Sequence, residues 1–186
     1  PCTWSSATRS WAIVSRSLAV SATACLLADA GTAAELGLPV RMRLVGYAFA
    51  GVEPEVMGVG PVPATERVLA RTGLSIDDIG LFEVNEAFAV QVLAFLDHFG
   101  IADDDPRVNP DGGAIAIGHP LASSGVRLMT QLARHFAARP DVRFGLTTMC
   151  IGIGMGGSVI WENPNHPDYG SPLPTDGTGD SKERAE

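Results

Sequence analysis

Ile79-Gly80-Leu81-Phe82-Glu83-Val84-Asn85-Glu86-Ala87-Phe88 decides the fold of this chain. A short apolar run stops at a polar pair, and beyond it Phe88, Val92, Phe95, Leu96 and Phe99 recur at helical spacing up to Gly100. A brief apolar run reads as a buried strand, whereas recurrence every three or four residues reads as a helix with one apolar face. Asparagine is favoured just before a helix because its side-chain oxygen accepts a free N–H of the first turn. Asn85 is therefore expected to cap this helix and Gly100 to close it. A strand passing directly into a helix is the building unit of α/β folds.

The same alternation continues outward. Upstream, residues 42–49 form an apolar and aromatic run that predicts a strand. Gly58, Gly60, Pro61 and Pro63 then turn the chain into a helix over 63–72, closed by Gly73. Downstream, residues 102–113 are an acidic, Pro/Gly-rich loop. Proline suits the first helical position, so Pro120 is expected to open a helix with His119 as its cap. Leu121, Leu128, Met129, Leu132 and Phe136 would share one stripe of that helix. Residues 142–149 read as a strand, 152–157 as a turn and 158–162 as a returning strand. The predicted class is α/β: a mixed, mainly parallel sheet with helices on both faces and a final antiparallel strand. Three regions follow: an atypical segment over 1–27, the folded domain over 28–162, and a tail over 163–186, polar and without a stripe, that is expected to be disordered.

Composition excludes several functions. Apolar residues make up 46% of the 186 and charged ones 18%, enough for one packed core. The net charge of −8 argues against a nucleic-acid partner, since phosphate binding relies on a basic surface. Cys2, Cys25 and Cys150 give no even disulfide framework and read as free thiols. Arg9, Arg16, the run 18–28 and Ala28-Asp29-Ala30 imitate a secretion signal, but Ser21 and Thr23 dilute the run, and a cytoplasmic location is expected. No stretch has the roughly 20 apolar residues of a membrane span. His98, His135 and His166 lack metal-ligand spacing and read as surface or packing residues, so no metal is expected.

Three residues have side chains suited to catalysis, and each also has a plain structural use. His119 is either a helix cap or a base: at a helix N-terminus the dipole disfavours an added positive charge, which leaves a neutral imidazole able to take a proton. Gly112, Gly113 and Gly118 around it would permit close approach of a ligand. Cys150, after an apolar strand, reads by itself as a small core hydrophobe, although a thiol titrates only a unit or two above neutrality. Asn85 is either a cap or a polar site group. Glu86 reads as charge stabilisation of a helix start. Gly152-x-Gly154-x-x-Gly157 matches a dinucleotide fingerprint, but the β-prone Ser158-Val159-Ile160-Trp161 follows where a helix should. Asp103-Asp104-Asp105 lacks the alternation and closing glutamate of a calcium loop.

Three motifs in this order, Asn85-Glu86-Ala87-Phe88, Gly112-Gly113-Ala114-Ile115-Ala116-Ile117-Gly118-His119-Pro120 and Cys150-Ile151-Gly152-Ile153-Gly154, resemble the C-terminal half of a thiolase. The likeness runs from about residue 28 to 163. It implies a thiolase C-terminal domain whose intact relatives cleave 3-ketoacyl-CoA to acetyl-CoA and a shortened acyl-CoA. It also implies that His119, Cys150 and Asn85 are catalytic: Cys150 as general acid/base, and Asn85 with His119 around a water that polarises the thioester. The amides near Gly152 and Gly154 would serve an oxyanion. Coenzyme A would be a substrate, and no cofactor is implied. The partners implied are CoA thioesters, further copies of the chain, and a hydratase/dehydrogenase subunit of fatty-acid β-oxidation.

The family's nucleophilic cysteine belongs to its N-terminal half. Neither Cys2 nor Cys25 has the small-residue setting of that nucleophile, so the 186 residues read as an inactive C-terminal half. Residues 1–24 lose the family pattern abruptly, as a frameshifted or misjoined frame would. Two other readings remain open: half of a biosynthetic acetoacetyl-CoA thiolase, and a non-catalytic module that binds a partner chain or lipid.

Overall fold

The computed structural model describes residues 21–174. Cys2, Arg9, Arg16 and the rest of residues 1–20, which make up most of the segment expected to be out of frame, lie outside the described residues. The elements are α1 (Ala30–Glu35), β1 (Arg43–Gly51), α2 (Pro61–Thr72), β2 (Ile79–Val84), α3 (Ala89–Phe99), α4 (Ala114–Ile117), α5 (Leu121–Ala138), β3 (Phe144–Gly152) and β4 (Met155–Glu162). Gly73 and Gly100 close α2 and α3 in the left-handed conformation that glycine adopts without strain.

The strands form one sheet in the order β1-β4-β3-β2. The sheet is mixed with helices on both faces, as the sequence predicts, but its balance differs from the expectation. β2 pairs with β3 in parallel, while β4 is antiparallel to both β3 and β1. Strands β1, β2 and β3 all run one way. The returning strand β4 inserts between β1 and β3, so a single reversed strand makes two of the three pairings antiparallel. The turn before it is tighter than expected: Gly152 pairs with Met155, and only Ile153 (φ 48°) and Gly154 (φ 77°) lie between. Two successive positive φ angles match the right-handed twist of a two-residue hairpin.

Side chains alternate between two cores. Phe82, Val84, Leu146 and Ile160 face α2 and α3 with Val68, Leu69, Phe95 and Leu96. Leu81, Val142 and Trp161 face α5 with Leu132 and Phe136. Leu121 and Phe88, expected on the apolar stripes, are instead exposed at the starts of their helices. The first core closes on a backbone crossing: a Cβ on Gly156 would stand 2.0 Å from the Gly60 carbonyl carbon.

The end of the sheet opposite the β2 and β3 carboxyl ends is pinned by one carboxylate. Glu162, fully buried, accepts from Arg43 Nε at 2.6 Å and Arg143 Nε at 2.9 Å. Arg143 Nη2 in turn donates to Ser171 O at 2.7 Å, and Asn163 Nδ2 donates to the Val142 and Arg139 carbonyls at 2.8 and 2.9 Å. Leu173 packs against the first core. Residues 163–174 are thus docked on the fold, contrary to the expectation of a tail disordered from 163. Polar composition hid the docking because backbone carbonyls and the partly buried Arg143 hold it in place of an apolar stripe.

Candidate active site

Asn85 does not cap the helix. Phe88 occupies the cap position of α3 without a side-chain cap, and Asn85 lies three residues earlier in extended chain. Its N–H donates to Thr148 O at 2.9 Å, which continues the parallel β2–β3 pairing past the end of β2. Asn109 holds the chain there. Its Oδ1 accepts from Val84 N at 2.8 Å and its Nδ2 donates to Val84 O at 3.0 Å, while residues 107–109 pair with Phe82 along the outer edge of β2. Asn109 itself sits at φ 44°, a left-handed conformation that asparagine tolerates. Freed from capping, Asn85 is fully buried.

Glu86 stabilises a helix start as expected, but a different one. Its Oε2 accepts from Ile115 N at 2.9 Å in α4, and its Oε1 accepts from Asn109 Nδ2 at 2.9 Å. Gly113 leaves room for it: a Cβ there would come within 2.4 Å of the carboxyl carbon. The first two motifs are thereby joined through Glu86.

His119 also differs from its expected place by one residue. Pro120, with ψ 109°, is the non-helical cap of α5, so His119 precedes the cap. Its Nδ1 lies 2.7 Å from Ser124 Oγ, and that hydroxyl donates to Pro120 O at 3.1 Å. A hydroxyl carries a single proton. With that proton directed at the carbonyl, Ser124 is arranged to accept from His119 Nδ1–H, the tautomer that leaves the Nε2 lone pair free. Burial, then the nearby Arg127 guanidinium, pushes His119 below the usual histidine range. The imidazole is an uncharged base.

Asn85 Nδ2 lies 3.3 Å from His119 Nε2 and 3.4 Å from Nδ1. An amide so nearly equidistant lies against the ring and is not aimed along one lone pair. Asn85 Oδ1 is buried with no hydrogen-bond partner among the described residues, a polar atom left for a third group. Cys150 stands on β3 two residues beyond Thr148, the partner of Val84. Because β2 and β3 are parallel, Asn85 and Cys150 emerge at the same carboxyl end, the side where α/β sheets take ligands. Burial pushes the half-buried Cys150 thiol above its ordinary value, so near neutrality it holds its proton as an acid.

Gly152 (φ 96°) and Gly154 (φ 77°) flank the hairpin tip beyond Cys150. Gly154 has a packing reason to be glycine, since a Cβ would meet Val52 O at 2.2 Å and its own carbonyl accepts from Val52 N at 2.6 Å. Among the other histidines, His98 pairs with Glu66 at 2.9 Å on the surface, and His166 Nδ1 accepts from Asp168 N at 3.0 Å. His135 reaches a buried carboxylate instead, with Nε2 3.4 Å from Glu83 Oε1. Sequence reasoning missed Ser124, Asn109, Glu83 and Arg127. The Asn109-Pro110-Asp111-Gly112 turn signal pointed at one of them. Ser124 was hidden by its small size, and Glu83 by its place inside an apolar run.

Known proteins share both the sequence and the fold of this chain. The sequence model of the thiolase C-terminal domain matches residues 38–163. The chain is 54% identical over 141 residues to a 3-oxoadipyl-CoA/3-oxo-5,6-dehydrosuberyl-CoA thiolase of Escherichia coli, a match over 76% of this chain and 35% of the relative. It is 50% identical over 149 residues to a 3-ketoacyl-CoA thiolase of Pectobacterium carotovorum, over 80% and 38%. The crystal structure of the Bacillus anthracis acetyl-CoA acetyltransferase superposes with a TM-score of 0.67 at 36% identity, over 72% of this chain and 33% of that one. The chain thus spans little more than a third of the length of the relatives it matches.

Proposed function

Because the chain belongs to the thiolase family through its C-terminal domain, we propose that it supplies the acid/base half of an acyl-transfer site for 3-ketoacyl-CoA. The observation that carries this reading is the Ser124–His119 contact, which leaves an uncharged Nε2 beside the buried Asn85 amide. His119 Nε2 takes the proton of a cysteine nucleophile carried by an N-terminal thiolase half. The thiolate attacks C3 of the substrate, the C2–C3 bond breaks, and the electron pair passes to C2. Cys150 delivers its proton to that carbanion to give acetyl-CoA. Its thiolate then takes the proton of incoming CoA, whose sulfur attacks the acyl-enzyme; the acyl–cysteine bond breaks, and the released cysteine regains the proton held on His119. Gly152 and Gly154 amides serve the developing oxyanion, and Asn85 with His119 orders the water on the thioester.

The reading extends to fatty-acid β-oxidation in the cytoplasm, in a homo-oligomer beside a hydratase/dehydrogenase subunit. The relatives' names set the substrates to compare: straight-chain 3-ketoacyl-CoA, 3-oxoadipyl-CoA and acetoacetyl-CoA. The test is co-expression with an N-terminal thiolase half that carries the nucleophile, followed by CoA-dependent turnover and intact-mass detection of acyl-enzyme. His119→Ala is expected to slow acylation, whereas Cys150→Ala is expected to let preformed acyl-enzyme persist. Each should lower turnover about a hundred-fold or more. Near-normal turnover in both variants would reduce His119 to a loop residue and Cys150 to a core thiol.

A further inference from the structure

Beneath the Asn85–His119 contact lies a cluster of charged side chains that the acyl-transfer scheme does not use. Alternate residues along β2 and just past it face α5 and the residue before its cap: Leu81 shares a core with Leu132 and Phe136, Glu83 meets His135, and Asn85 meets His119. Glu83, 1% exposed, has no hydrogen-bond partner on either oxygen among the described residues. On α5, Arg127 Nη1 donates to Gln131 Oε1 at 3.0 Å, while its Nε and Nη2 are buried without a hydrogen-bond partner there. Gln131 Nε2 donates to Gly112 O at 3.2 Å. The Gly112–His119 loop is therefore fastened to α5 at both ends, through Gln131 at its start and through Ser124 at the imidazole. Arg127 is one helical turn from Ser124, on the same side of the helix.

We propose that Arg127 is a positioning residue for His119: through Gln131 it fastens the loop that carries the imidazole, and it keeps a fixed positive charge beside the ring. This rests on the reading of His119 as the base. The charged groups near Arg127 are Glu83 from β2 and Glu86 from the following turn, while Asp111 from the loop acts on Glu83 and His135, and Arg134 and Arg139 act on His135. Burial pushes the Glu83 carboxyl up to about 8, against the pull of Arg127 and with the help of Asp111 and Glu86. At neutral pH Glu83 therefore keeps its proton, and the field of Arg127 reaches His119 uncancelled by it. A like charge disfavours the imidazolium, so the free lone pair persists to lower pH.

The chain has only four histidines, so selective labelling of their ring carbons allows each titration to be followed by NMR, with His119 assigned by its loss in His119→Gln. Arg127→Gln is expected to move the His119 midpoint to higher pH. Arg127→Lys, which restores the charge, should return it towards the wild-type value. Glu83→Gln resembles the protonated acid and should leave it in place. Arg127→Met, equally uncharged, stands in if the glutamine variant does not fold. An unmoved midpoint in the uncharged variant, or an equal rise in Glu83→Gln, would overturn the proposal, the second by showing that packing and not charge sets the base. The titration needs no turnover, so its failure is distinguishable from failure of the acyl-transfer reading.

Discussion

The chemistry of His119 depends on one hydroxyl. Ser124 directs its only proton at Pro120 O, and this favours the imidazole tautomer with a free Nε2 lone pair. Ser124→Ala removes the constraint and lets the ring exchange tautomers. An interaction of about 1 kcal/mol is lost, so kcat/KM of the complemented enzyme should fall roughly fivefold with little change in melting temperature. A steady-state comparison checks this. Glu83 gives a second prediction at this scale. Its carboxyl is raised from 4.5 to about 8 by burial, so between those values the folded chain holds a proton that the unfolded chain has released. Its contribution to stability is present in full below about 4.5 and is lost as pH rises towards about 8. Urea melts across this window should show stability falling with pH, and Glu83→Gln should flatten that slope.

At the scale of elements, strands and most helices were legible because apolar period and glycine stops act locally. β2 appears at Ile79–Val84 as read, and Gly73 and Gly100 end their helices. The cap assignments failed for a non-local reason. Asparagine's preference for caps lost to Asn109, which reaches from 25 residues away to hold Val84 and keeps Asn85 in extended chain. The same remoteness hid Arg127 and Glu83, whose relation exists only once β2 lies on α5. Cys150 and His119 were legible as motif residues, whereas their protonation states needed burial and Ser124. The Gly60–Gly156 crossing, equally remote, fixes how α2 sits on β4. Gly156→Ala would drive a methyl into the Gly60 backbone, which has no side-chain end to yield. A loss of about 3 kcal/mol or more is expected, at the upper end of overpacking costs, and equilibrium unfolding would measure it.

At the scale of the whole molecule, α5 covers the β2 and β3 side of its sheet face and leaves the β1 side bare. Tyr47 and Phe49 are 54% and 61% exposed, and Ile151 and Met155 nearly half. Gly157 lies between two of them: a Cβ there would touch both Phe49 and Ile151 at 2.9 Å. A contiguous apolar surface of this kind favours association. The 186 residues alone should sediment as concentration-dependent oligomers, and Phe49→Ser should shift them towards monomer. Cooperative melting as a monodisperse wild-type monomer at high concentration would contradict the expectation.

The ladder between β2 and α5 has a consequence for how this sequence can vary in length. Two rungs, hydrophobic and charged, sit on one helix at fixed angular offsets, and Ser124 on the same helix holds His119 for the third. An α-helix turns about 100° per residue. One residue inserted between Ser124 and Arg127 would swing the loop anchor at Ser124 away from the side that Gln131 and His135 occupy. No single rung could be kept without sacrificing another. Loops such as 102–106 should accept added residues readily, whereas α5 should tolerate substitution at its exposed positions and almost no change in residue count. A deep insertion–deletion scan of the chain would show α5 as a stretch of nearly constant length.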